Sequence, residues 1–166
     1  MGRKYGTLLL IDDEKDIGEI LTDIFTDMFD KVIYCDNAAE ALGVVKATTL
    51  SAIITDLTMP GMTGDQLVRK IRSTGNMTPI VFLTGHASKD MILSAMRLGV
   101  ADVFEKPFQA EHLKASLDRV LEIEKRKEKL HQEEALVSEN SEKDPEREKK
   151  ILGLLQVVNE TKKKVS

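Results

Sequence analysis

The stretch LLLIDDE at residues 8–14 sets four large apolar side chains directly against three acids. Leu8, Leu9, Leu10 and Ile11 read as a buried strand. Asp12, Asp13 and Glu14 then stack three negative charges at its end. Like charges that close repel, and a carboxylate near a strand end is costly to desolvate unless it is paired or bound to a cation. One reading is a helix N-cap followed by an acidic first turn. The other is a divalent metal site. The rest of the chain has to decide between them.

Outward from this stretch the same alternation repeats. Short β-branched or aliphatic runs occur at 8–11, 32–34, 52–55, 80–83 and 102–104, with amphipathic helical patterns between them. In the first helical pattern Ile17, Ile20, Leu21, Ile24 and Met28 fall on one face, with acids opposite. A second covers about 38–47. A third opens at Thr63, where Thr63 and Gln66 suit a capping box, and stops near Gly75. A fourth spans about 89–98 between Ser88 and Gly99, and a fifth begins near Gln109. Strand followed by helix, five times over, is the pattern of an α/β domain with a parallel sheet covered on both faces.

Ligands of such a sheet bind outside the carboxyl ends of its strands. Asp12 and Asp13 follow the first strand, Asp56 the third, Thr84 and Gly85 the fourth, and Lys106 and Pro107 the fifth. Three carboxylates, a hydroxyl and an ammonium would converge on one edge, which packing alone does not explain. An oxygen-rich cluster without His or Cys suits a hard ion, most often Mg²⁺. An aspartate beside such an ion can act as nucleophile toward a phosphoryl group. The lysine and the metal would neutralise the transferred oxygens, and Thr84 would donate to one of them. Gly85 is expected to let backbone approach closely.

At these positions the chain resembles a response-regulator receiver domain of two-component signalling. The matching pieces are LLLIDDE, TDLTMPGMTG, FLTGHAS and VFEKPF, in order and at successive strand ends, across about residues 6–121. The resemblance implies a flavodoxin-like, doubly wound five-stranded parallel sheet of order 2-1-3-4-5. It implies that Asp56 is the phosphoacceptor and that Asp13 binds Mg²⁺ directly. Asp12 would act largely through metal-bound water, with Asp56 and the carbonyl of Thr58 completing the protein ligands. Thr84 would be the switch hydroxyl, Lys106 the lysine that pairs with Asp56 and then with the phosphate, and Phe104 the switch aromatic. The Lys106–Pro107 bond would be cis. The implied partner is a sensor histidine kinase or a phosphotransfer protein, and the implied activity is that of a phosphoacceptor switch rather than an enzyme.

Other classes fit less well. Phosphotransferases and phosphatases with an aspartate nucleophile usually carry a second aspartate two residues on, where this chain has Thr58. A dinucleotide or flavin binder would show a glycine-rich turn after the first strand, and three acids there would repel a pyrophosphate. An interaction module that had lost the chemistry would have no need of Asp13, Asp56, Thr84 and Lys106 together. A net charge of -4 argues against a dedicated nucleic-acid binder or a polybasic membrane anchor. The lone Cys35 excludes an intrachain disulfide. With no spanning-length apolar run and no signal-peptide core, a cytoplasmic address is expected.

Composition changes after Leu121. Residues 122–166 carry 11 Lys and Arg against 11 Asp and Glu, so the whole -4 resides in residues 1–121, where 17 acids face 13 bases. The expected organisation is a receiver at 1–121 and a charged helical extension at 122–166, with no direct DNA binding. A receiver cut from a hybrid kinase or a larger regulator is the alternative. The fifth helix is expected to continue to about Val137, with Ile123, Leu130 and Val137 recurring every seven residues. A further helix is expected from Asp144 and Pro145, with a stripe of Ile151, Leu154, Leu155 and Val158. That stripe is expected to dock rather than fray, on the fifth helix or on a second copy, and of these two a homodimer is favoured.

Overall fold

A computed structural model describes residues 5–141, 149, 152 and 153. Five strands, β1 (Tyr5–Ile11), β2 (Phe29–Cys35), β3 (Ala52–Asp56), β4 (Ile80–Thr84) and β5 (Asp102–Glu105), form one parallel sheet in the order β2-β1-β3-β4-β5. Between them run α1 (Lys15–Phe25), α2 (Ala38–Ala47), α3 (Gly64–Ser73) and α4 (Lys89–Arg97), and α5 (Ala110–Ser141) follows β5. The parallel α/β sheet is the one expected from the strand and helix alternation, and its order is the flavodoxin-like one that the resemblance implied. The chain divides into two compact units, Met1–Glu122 and Ile123–Ser166.

Alternating side chains of the central strands build two cores. Leu9, Ile11, Ile53 and Phe82 point to the face covered by α2, α3 and α4, where they meet Ala41, Leu67, Val68, Ile71 and Ala95. Leu8, Leu10, Ile54, Val81 and Leu83 point to the other face, against Leu21 and Phe25 of α1 and Leu113, Leu117 and Leu121 of α5. A strand buried on both sides has no polar position to spare, which is why LLLI reads as a continuous apolar run.

The helix starts are held by short-range hydrogen bonds. Asn37 Oδ1 accepts from the Glu40 N–H at 2.8 Å, and Ser88 Oγ from the Met91 N–H at 3.3 Å. At α3, Gln66 Oε1 accepts the Thr63 N–H at 3.2 Å while the Thr63 hydroxyl donates to Asp65. The expected apolar face of α1 holds for Leu21 and for Ile17, Ile24 and Met28, which pack partly buried on the same core, and fails at Ile20. The buried residues of the helix are Gly18, Leu21 and Phe25, Ile20 is 51% exposed, and Met28 lies beyond the helix end. The buried line follows i, i+3, i+7, and Ile20 stands about 100° away from Leu21. Within the expected helix from Asp144, Lys149, Leu152 and Gly153 are described and are helical, while its start and its apolar stripe lie outside the described residues. Among the described residues no helix is long and apolar enough to cross a membrane.

Candidate functional site

The carboxyl edge of the sheet gathers the residues singled out from the sequence. Asp12 and Asp13 directly follow β1, Asp56 and Thr84 are the last residues of β3 and β4, and Lys106 follows β5. Asp12 is fully buried, Asp56 is 5% exposed, and Asp13 is open to solvent. One carboxylate oxygen from each of the three lies within 4.8 Å of the other two. Asp13, Asp56, Thr58, Thr84, Gly85 and Lys106 line one cleft of 540 Å³. The donor set is all oxygen, small in number and reachable through Asp13. That fits a hard divalent ion such as Mg²⁺, which keeps several waters and takes one or two carboxylates.

Lys106 organises the charges. Its Nζ lies 2.8 Å from Asp12 Oδ2, 3.4 Å from Asp56 Oδ2 and 3.5 Å from Glu14 Oε1. Burial works against its charge, but the bond to Asp12 and the fields of Asp12, Asp56 and Glu14 outweigh it and hold the ammonium above its ordinary value. Asp56 fares differently. Burial pushes its carboxyl up and Asp12 adds to the rise, while Lys106 and the Thr58 N–H, 3.3 Å from Oδ1, pull the other way without reversing it. The distances explain the contrast: the ammonium sits on Asp12 first and serves Asp56 only at longer range. The N-cap reading of the opening stretch also resolves here. Asp12 Oδ1 accepts the Glu14 N–H at 2.9 Å at the entry to α1, while Asp13 and Glu14 line the cleft and Glu14, the α1 N-cap, makes no side-chain cap bond.

The Thr84 hydroxyl is engaged locally, donating to the His86 carbonyl at 3.0 Å and accepting the His86 N–H at 3.2 Å. Phe104 is half-buried against the α1/α5 core and is paired in register with Leu83, next to Thr84 and Glu105. His86 is exposed, with its Nδ1 4.0 Å from Glu105 Oε1. The Lys106–Pro107 peptide is cis.

Four supporting residues had no signal in the sequence. The Tyr34 hydroxyl donates to the backbone carbonyl of Asp12 at 2.8 Å, fixing the chain where the acids begin. The Tyr34 ring fits only because residue 18 is glycine, since a Cβ there would stand 2.3 Å from it. Gly64 starts α3 against the carbonyl of Asp56, where a Cβ would come within 2.4 Å. Close backbone approach therefore falls at Gly64 and not at Gly85, whose Cβ would meet nothing within 4 Å. Glu105 also holds the loop after β4, accepting the Ala87 N–H at 3.2 Å.

Comparison with known proteins places this arrangement. FleR, a response regulator protein of Pseudomonas aeruginosa, is 35% identical over 106 residues, 64% of this chain and 22% of its own length. The receiver protein Anae109_2439 of Anaeromyxobacter is 34% identical over 105 residues, and the match covers 43% of that protein. The chain thus spans less than half of either relative. The chemotaxis protein CheY of Pseudomonas aeruginosa is 30% identical over 118 residues, covering 69% of this chain and 95% of CheY. Among solved structures, CheY4 of Vibrio cholerae superposes with a TM-score of 0.65 at 29% identity, over 69% of this chain and 98% of that one. A receiver domain protein of Clostridium thermocellum superposes with a TM-score of 0.67 at 25% identity, over 73% and 98%. Residues 8–118 match the response regulator receiver domain as a family, and with the sheet order and the acidic edge already in place, the chain belongs to that family of two-component signalling domains.

Proposed function

We propose that Asp56 accepts a phosphoryl group from a histidine kinase or phosphotransfer protein and that the modified site switches a partner-binding face. One observation carries this reading: Asp56 stands at a strand end with two further carboxylates within 4.8 Å and the Lys106 ammonium 3.4 Å away. Asp56 Oδ2 attacks phosphorus, the new P–O bond forms as the donor's P–N bond breaks, and the histidine leaves with the bonding pair. Asp13, Asp56 and the Thr58 carbonyl would hold Mg²⁺, with Asp12 acting through bound water. Bound there, the ion supplies positive charge to the phosphoryl oxygens. Lys106 keeps Asp12 neutralised before transfer and moves its charge to the phosphoryl oxygens afterwards.

The switch follows from what a new dianion demands. Thr84 exchanges its bonds to His86 for one to a phosphoryl oxygen, and Phe104 turns into the space that the threonine leaves. A cavity of 340 Å³ lined by Phe82, Met91, Ser94 and Ala95 gives α4 room to move. The output face would be α4, β5 and the first turns of α5, biased by about 1–3 kcal/mol of coupling.

Incubation with a small phosphoryl donor and Mg²⁺ tests the chemistry. The expected product gains about 80 Da, is base-labile, and fails to form in Asp56→Asn. Full labelling of that variant removes Asp56 from the role.

A further inference from the structure

We propose that the part of α5 beyond Leu121 binds the same part of a second copy, antiparallel, about a twofold axis at Leu130. The helix runs unbroken to Ser141, and Ile123 and Leu130 stand 46% and 51% exposed on it. An exposed leucine alone decides nothing. The order of charges around it does.

At about 100° per residue, positions 123 and 137 fall within about 20° of Leu130, making a narrow apolar seam. Two basic residues, Arg126 and Lys127, flank the seam on either side just before Leu130. Two acids, Glu133 and Glu134, flank it on either side just after. All four are exposed. The face is therefore positive on one side of Leu130 and negative on the other, by nearly equal offsets along the axis.

Such a face is complementary to itself under one orientation only. In antiparallel pairing, Arg126 meets Glu133 of the second copy and Lys127 meets Glu134, and both pairs then occur twice by symmetry. Position 123 comes level with position 137 of the second copy, and Leu130 meets its own copy at the axis. In parallel pairing the same side chains stack like on like, with Arg126 beside Lys127 and Glu133 beside Glu134. Like charges at that range destabilise, which is how charged flanks fix helix orientation in coiled coils. With one apolar residue per seven, the seam is thin, so the charge pattern sets both affinity and register. This proposal is independent of the phosphoacceptor chemistry.

Sedimentation of the full chain at concentrations up to on the order of 100 μM tests it. The wild type should self-associate. Reversing one end, as Glu133→Lys with Glu134→Lys or as Arg126→Glu with Lys127→Glu, should raise the dissociation constant at least tenfold. All four reversals together should restore association to within a few-fold of wild type, because the complementarity returns with the signs exchanged. Recovery in the fourfold variant also shows that the helix survived the substitutions. For orientation, Ile123→Cys and Val137→Cys chains should crosslink with each other and not with themselves; Cys35 is buried and does not interfere. A monomeric wild type, a fourfold variant as weak as the double ones, or self-crosslinking of Ile123→Cys overturns the proposal.

Discussion

Lys106 and Lys127 each hold a carboxylate at nearly the same distance, 2.8 Å to Asp12 and 2.7 Å to Glu124. Their surroundings differ. The first pair is 16% and 0% exposed, at the carboxyl edge of the sheet, and the second is 59% and 40% exposed on α5. Water screens the second and barely reaches the first. Distance therefore says little about what an ion pair is worth, and burial says most of it. The same contrast separates the two functional readings. In the proposed phosphoacceptor site desolvated charge would be stored for a reaction; in the proposed α5 pairing solvated charge would supply orientation and partner choice.

The largest expected effect tests the buried end. Lys106→Met leaves Asp12 and Asp56 buried without the ammonium that faces both. Removing one partner of a buried pair costs about 3–5 kcal/mol, and the slight solvent access here favours the lower figure. Urea denaturation in EDTA should show that loss. Mg²⁺ should recover part of it, because a cation bound at the proposed site would stabilise the folded chain by mass action. A loss under 1 kcal/mol would break the comparison.

Next comes Cys35, which ends β2 and whose carbonyl accepts the Asp12 N–H at 3.3 Å. Burial, reinforced by Glu40 and Asp36, pushes its thiol up to about 11. A raised thiol value means that the fold favours the neutral form. That contribution is complete below the ordinary thiol range and is lost as the pH climbs through that range toward the folded value. At pH 8 alkylation by iodoacetamide should run on the order of a hundredfold slower than in the urea-unfolded chain, from thiolate fraction alone. Equal rates would mean that the β2 end is open to solvent.

Asp56→Asn sharpens the comparison from the other side, because it removes a charge without removing volume. Burial and Asp12 both disfavour ionised Asp56. The amide keeps an oxygen for the Thr58 N–H, and Lys106 keeps Asp12. In EDTA the variant should gain about 1 kcal/mol, a rise of roughly 4–8 °C in Tm for a domain near 100 residues. Differential scanning calorimetry measures it, and an unchanged or lower Tm would show that Lys106 already compensates Asp56 in full.

The strand ends carried most of what the sequence disclosed. LLLI, AII and IVFL are continuous apolar runs because both of their faces are covered, and the acids, hydroxyl and lysine beside them are out of place in any core. The edge strand was harder to read. β2 begins at Phe29, but Asp30 and Lys31 are exposed and interrupt its pattern, so only 32–34 stood out. β1 begins at Tyr5, whose burial depends on pairing with Phe29, a contact that no local period predicts. Gly18 and Gly64 are needed by a ring and a carbonyl from elsewhere in the chain. The Arg72 guanidinium, which donates to the carbonyls of Asn76, Thr78 and Leu98, likewise serves partners on other segments. Periodicity reports which face a residue occupies and nothing about which distant atom waits there.

The smallest effect belongs to the exposed pair. Glu124 and Lys127 are three residues apart on α5, a spacing worth about 0.2–0.5 kcal/mol at low salt. Glu124 lies about 120° from Leu130 around the helix, off the proposed seam. Glu124→Gln should therefore change amide-exchange protection across residues 124–130 by less than about 0.5 kcal/mol, and the difference should vanish in 1 M salt, where the screening length is about 3 Å. The same substitution frees Lys127 for Glu134 of a second copy, so self-association should hold or tighten slightly while local helix protection falls. Lys127→Ala should weaken both. If Glu124→Gln instead costs 1 kcal/mol or more and the loss survives high salt, water does not reach this pair, and the contrast between the two lysines fails at its exposed end.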